Sequence, residues 1–154
     1  MKLIPNEAYF AEIADMLSDG QSVQLRVKGG SMRPYLRNEK DIVVLSPFNP
    51  FKLKKGRIVL FKYRNRYLLH RIVKCENNRF MIQGDGVCKA SEKALPSDVI
   101  GMVDTIIRPG KKTVPANSLC AMLYWKIWLF AIPIRRYLLV FYDKFYIKNN
   151  KIYP

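Results

Sequence analysis

A chain of 154 residues fits one domain, and with 49% of them apolar it has enough to build a core. Its formal net charge of +15 (27 Lys and Arg against 12 Asp and Glu) favours a polyanionic partner: nucleic acid, an anionic membrane surface or an acidic peptide. The plainer alternative is a soluble basic protein. Cys75, Cys88 and Cys120 make no C-x-x-C pair, which argues against a disulfide framework and a zinc site and for reduced thiols in a cytosol-facing protein.

The first segment, Met1 to Asp19, carries Glu7, Glu12 and Asp15 and no uninterrupted apolar region. It is expected to be neither a signal peptide nor a spanning helix. Asn6 is a plausible N-cap for a helix running to about Ser18, with Tyr9, Ile13, Met16 and Leu17 at helical spacing and Gly20 ending it. The period then changes. Residues Ser22 to Lys28 alternate strictly, as a half-buried strand does, and run into Gly29-Gly30, so that Ser31 falls where a strand breaks into a turn.

Further strands are predicted at Asp41–Leu45, Arg57–Tyr63, Arg66–Val73, Arg79–Gln83, Val99–Val103 and Thr105–Ile107. Arg64-Asn65 predicts a tight hairpin and Glu76-Asn77-Asn78 a slightly longer one. The expected organisation is an N-terminal helix (1–20), a mainly β domain (21–110) and a basic, aromatic helical segment (111–154).

In that last segment, residues 119–132 are almost wholly apolar, followed by Pro133, Arg135-Arg136 and the run Tyr137 to Tyr142. A spanning helix needs about 20 apolar residues. Bridging the two runs would place two arginines mid-helix, at about 2.5–3.5 kcal/mol each. Two short helices broken at Pro133 fit better, lying on a membrane surface or packed on the β domain. In the first case Trp125, Trp128 and several tyrosines would anchor at the interface, with Lys126, Arg135, Arg136, Lys144 and Lys148 available to lipid phosphates. In the second the segment completes the core or a dimer interface.

Three motifs carry chemistry. A serine needs a base within reach and an oxyanion hole, which backbone amides on a strand-to-turn break can supply. Gly29 and Gly30 leave room for a substrate carbonyl beside Ser31, and Pro34 stiffens the far side of the turn. His70, the only histidine, closes the apolar Leu68-Leu69 run and is expected at a strand end near the sheet rim, where a neutral imidazole takes the serine proton. Asp85, on the Gly84-Asp85-Gly86 turn, is placed to orient that imidazole. Each motif also has an ordinary structural explanation: a glycine turn, a packed imidazole, a turn aspartate.

Taken in order, Gly30-Ser31-Met32-x-Pro34, Gly56-x-Ile58-Val59-x-Phe61, His70-Arg71-Ile72-Val73, Gly84-Asp85 and Val99-Ile100-Gly101-Met102-Val103 resemble the boxes of the signal peptidase I and LexA-like serine peptidases. The resemblance covers roughly residues 22–108. It implies a mainly β fold, a coiled β-sheet domain of signal peptidase/LexA type with an N-terminal helix and C-terminal apolar helices. It implies Ser31 as nucleophile, His70 as base and Asp85 as supporting acid, with no cofactor or metal. Bacterial signal peptidases of the main type carry lysine where His70 stands, so the likeness is to the Ser-His branch of archaeal and endoplasmic-reticulum enzymes. The implied substrate is a leader or signal-like peptide or preprotein, with small side chains at the cleaved bond.

Four departures accompany the likeness. The second aspartate of the Ser-His branch falls at Ser91, leaving neighbouring Glu92 as a rival to Asp85. Gly56-Arg57 and Lys40-Asp41 replace two Gly-Asp pairs, and position 29 is glycine where some signal peptidases carry a hydroxyl. No N-terminal anchor is read, which moves the expected site to the cytosolic side, with the C-terminal segment on the inner face of the membrane. Two other functions compete: an inactive peptidase-like protein that binds peptides at its sheet edge, and a LexA-like nucleic-acid-associated regulator. Only about thirty residues precede Ser31, too few for a helix-turn-helix domain plus linker, and the aromatic residues gather in the apolar tail. Nucleic acid is therefore not the expected partner.

Overall fold

A computed structural model describes residues 6–110 and 113–147. Helix α1 spans Asn6–Ser18. Gly20 follows at φ 82°, and Gln21 N–H closes the helix on the Met16 carbonyl. Eight strands then build one antiparallel sheet: β1 (Val23–Arg26), β2 (Ile42–Ser46), β3 (Ile58–Tyr63), β4 (Arg66–Glu76), β5 (Arg79–Gln83), β6 (Glu92–Ala94), β7 (Val99–Ile107) and β8 (Val114–Pro115). Their order is β1-β2-β7-β3-β4-β5-β6, with β8 added to β7. Helices α2 (Leu119–Phe130) and α3 (Arg135–Tyr142) and a π-helical turn (Asp143–Ile147) end the described chain. The protein is mainly β, with an N-terminal helix and C-terminal helices.

The core has two halves that share β3. Its even residues, Ile58 and Leu60, pack with Ile13 and Leu17 of α1 and with Val43, Leu45, Val103 and Ile106. Its odd residues, Val59 and Phe61, pack with Ile72, Ile82 and Met102. Side chains alternate across a strand, so a strand buried on both faces must be apolar throughout. That requirement explains the unbroken Ile58-Val59-Leu60-Phe61 run.

Several boundaries differ from expectation for identifiable reasons. Val99–Val103 and Thr105–Ile107 form one strand. Val44 pairs with Thr105 and Leu45 with Val103, so Asp104 is the extra, exposed residue of a bulge rather than a break. The Asn77-Asn78 hairpin is as tight as Arg64-Asn65: all four residues have positive φ (41° to 60°), and each pair directly joins two strands. Strand β4 continues to Glu76, so His70 lies inside the strand, paired with Val59, and not at its end.

Candidate catalytic site

The serine turn is held from below. Met32 and Leu36 are fully buried, Leu36 N–H donates to the Met32 carbonyl, and Gly29 N–H donates to Asn38 Oδ1 at 2.7 Å. Gly29 has φ 86° and open space around the position of a side chain, so glycine is required there by backbone conformation. Ser31 itself is half-buried.

The Gly84-Asp85-Gly86 turn lies directly on this one. Gly86 N–H donates to the Ser31 carbonyl at 2.8 Å. A Cβ on Gly86 would sit 2.6 Å from the Gly30 carbonyl oxygen, and one on Gly84 would collide with that of Ser31 while lying 3.1 Å from His70 Nε2. The glycines on either side of Asp85 therefore let the backbones touch, and the space a Gly84 side chain would fill is bordered by both the Ser31 carbonyl and His70 Nε2. Among the described residues Ser31 Oγ makes no hydrogen bond to the ring, so serine and imidazole are neighbours beside Gly84, not a bonded pair.

His70 is 4% exposed and its ring lies tilted against that of Phe61. Its Nδ1 is 3.1 Å from Glu92 Oε2. An ionised carboxylate only accepts, so Nδ1 is the donor of this pair; in the neutral ring Nε2 is then the acceptor, and it lies 3.1 Å from the place of a Gly84 Cβ. Glu92 arrives there through β6: it pairs with Ile82, and Ile82 with Ile72, two residues along β4 from His70 on the same face.

The expectation for Asp85 is corrected. Its carboxylate is buried and held bidentately by Arg71, Nε to Oδ1 at 2.9 Å and Nη2 to Oδ2 at 2.7 Å. Arg71 follows His70 on β4 and so points to the opposite face, away from the imidazole's partner Glu92. The physical reason is the buried guanidinium, which demands a carboxylate. Arg71 also donates to the Gly56 carbonyl at 2.9 Å and lies against the rings of Tyr35 and Tyr124. Burial alone would lower its pKa, but the charge and hydrogen bonds of Asp85 outweigh burial and raise it. Asp85 thus supports the turn, and Glu92, the rival, meets the imidazole.

The C-terminal helices close this arrangement from outside. Trp128 Nε1 donates to the Asp85 carbonyl at 2.9 Å, and the Trp125 ring packs on Gly56 so closely that a Cβ there would collide with it. Tyr124 stacks between Tyr35 and Trp128; burial pushes its phenol pKa far up, and that of Tyr35 rises for the same reason. Arg135 is buried, with Nη2 donating to the Trp128 carbonyl at 3.0 Å, and burial lowers its pKa. Arg33, in the serine turn, grips Asp143 with Nε and Nη2 at 2.8 and 2.9 Å.

The helices do break around Pro133, as expected. Of the two expected placements, Trp128 and Arg135 are buried against the β domain and Trp125 is half-buried on it, so these three side chains pack on the sheet domain rather than extend as interfacial anchors. Trp128 Nε1 satisfies the Asp85 carbonyl of the turn and Arg135 Nη2 the Trp128 carbonyl of α2, while the Trp125 ring packs on Gly56. Lys148 lies outside the described residues.

No protein-family model matches the chain, and no curated protein does. Among the described residues no cluster of His, Cys, Asp or Glu is suited to a metal, and no helix is long and apolar enough to cross a membrane. Cys75, Cys88 and Cys120 are exposed and unpaired.

Proposed function

We propose that this protein is a serine endopeptidase of signal-peptidase type, with Ser31 as nucleophile, His70 as base and Glu92 orienting the base. One observation carries the proposal: a buried imidazole with a carboxylate on Nδ1 and Nε2 turned to the serine turn. In the reaction Ser31 Oγ attacks the peptide carbonyl carbon as His70 Nε2 takes the hydroxyl proton. The same proton then goes to the leaving amine, and water, activated by the freed imidazole, hydrolyses the acyl-serine. Glu92 stabilises the transient imidazolium without taking its proton.

The oxyanion needs N–H donors. The amides of Gly29, Arg33 and Gly86 already have partners. Those of Gly30, Ser31 and Met32 remain for it. An extended peptide would add to β1, which among the described residues is an edge strand bonded only to β2 and leads into the serine turn. Half-buried Val23 and Leu25 alternate there with exposed Gln24 and Arg26.

The unmade Ser31–His70 hydrogen bond favours a second function, peptide binding at the same edge without turnover. Catalytic hydrogen bonds often tighten only with substrate, so a covalent test decides between them. A serine-directed probe should label the native protein, with labelling abolished in Ser31→Ala and reduced by orders of magnitude in His70→Ala. Absent labelling, or labelling that persists in Ser31→Ala, selects the binding protein.

A further inference from the structure

The C-terminal helices have two unlike faces. Inward point Ala121, Trp128, Arg135 and Leu139, all buried. Outward, α2 presents Leu119, Leu123, Ile127 and Phe130 at helical spacing, with exposures of 83%, 61%, 59% and 91%. The surface continues over Tyr137, Val140 and Phe141 of α3 and Phe145 beyond it, all more than half exposed. Isolated exposed apolar residues are ordinary; an unbroken outer face of two consecutive helices is a docking surface.

Its charges identify the occupant. Lys126 lies within the α2 stripe, and Arg136 and Lys144 are exposed along the rest. In residues 113–147 the only acid is Asp143, and Arg33 already holds it. The loop after β2 adds Phe51, 87% exposed, and exposed Lys52, Lys54 and Lys55, and joins α2 through the Gly56–Trp125 contact. A second copy of the chain would bring these cations against their own kind with no carboxylate between them. A bilayer takes the apolar side chains at its acyl boundary while Lys and Arg extend to the phosphates.

We propose that the outer face of α2 and α3, with the Phe51–Lys55 loop at its flank, docks on an anionic phospholipid surface, the helices lying in its plane. The inner face stays on the sheet, where Trp128 and Arg135 make their hydrogen bonds. Lys126, Arg136, Lys144 and the loop lysines contact phosphate oxygens. This docking does not depend on whether Ser31 is a nucleophile.

The test uses the full chain carrying Ser31→Ala, in sedimentation with phosphatidylcholine vesicles with and without phosphatidylglycerol. Binding is expected only with phosphatidylglycerol and should weaken as salt rises. Changing Lys126, Arg136 and Lys144 together to Gln should weaken binding about a hundredfold. Changing Leu123, Ile127 and Phe130 together to Ser should weaken it by more than about tenfold. These positions are exposed, so the folded sheet should be retained, checked by an unchanged melting transition. No binding to phosphatidylglycerol vesicles at low salt overturns the proposal, as does binding indifferent to both variants. A dimer in sedimentation velocity that the Ser variant dissociates also overturns it, in favour of a second copy.

Discussion

Replacing Asp85 and Glu92 separately distinguishes a carboxylate that holds a turn from one that holds the imidazole. The Asp85 and Arg71 side chains are 4% and 2% exposed, and both carboxylate oxygens are engaged. Asp85→Ala leaves a guanidinium in the interior with one carbonyl and two aromatic rings for company. Removing one partner of such a pair costs about 3–5 kcal/mol. For a chain of this size each kcal/mol lowers the melting temperature by roughly 2–4 °C, so a loss on the order of 10 °C is expected. Glu92 makes one hydrogen bond at the sheet margin, and Glu92→Gln should cost about 1–2 kcal/mol. Its effect on reactivity is larger. A glutamine amide that donates to Nδ1 selects the tautomer with the proton on Nε2, where no proton can be accepted, and by analogy with serine-protease triads the loss is about 10³–10⁴-fold. Thermal melting and the rate of Ser31 labelling by the serine-directed probe measure the two effects side by side. A Glu92→Gln protein that labels within tenfold of the native rate, or an Asp85→Ala protein of native stability that no longer labels, would refute the division of roles.

Three further outcomes follow from the same geometry. Tyr124 Oη is buried without a hydrogen-bond partner among the described residues, so Tyr124→Phe should be neutral or stabilising by about 1 kcal/mol near neutral pH. Because the folded protein raises the Tyr124 pKa above the ordinary 10.0, the stability it contributes is whole below that value and lost as pH rises beyond it; Tyr124→Phe should flatten the alkaline decline in a urea-unfolding series. Gly84→Ala should displace the Ser31 carbonyl and abolish labelling, while circular dichroism still reports the sheet. Trp128→Phe leaves the Asp85 carbonyl unpaired at a cost of about 1–3 kcal/mol, read by urea unfolding, and should slow Ser31 labelling through the loosened turn.

Where the sequence pattern was strong, the elements were legible. The Arg79–Gln83 strand has the expected bounds and the first helix ends at Ser18 as expected, with Asn6 inside the helix rather than capping it. Strand β6 was not legible: Glu92-Lys93-Ala94 is three residues long, with neither an apolar run nor alternation. Missing it left Glu92 without an address, although Glu92 is the carboxylate that meets the imidazole. Strand β8, Val114–Pro115, is hidden by its proline, which is tolerated there because the strand lies off the main ladder. One signal could have placed Asp85. An arginine inside the apolar stretch Leu68–Val73 must be buried with a partner, and it competes for any acid that a neighbouring turn supplies.

The C-terminal segment was the least legible because hydropathy sums over a helix, whereas its two faces do different work. Trp128 and Arg135 point inward and serve carbonyls of the turn and of α2 itself, whereas the large apolar Leu119, Leu123, Ile127 and Phe130 point outward. That arrangement is the reverse of a surface helix folded for water alone. The inward contacts matter to the site because the sheet supplies only His70 and Glu92. The Ser31 and Gly84–Asp85 turns also rest on the tail, through Asp143 and Trp128. The Arg33–Asp143 pair is about one-third exposed and contributes at most about 1 kcal/mol. The hold on the site therefore rests mainly on buried Trp128 and Arg135 and on half-buried Tyr124. Whatever covers the outer face presses on the helices that carry those three side chains, so the outer surface proposed to dock and the turn that carries Ser31 belong to one mechanical unit.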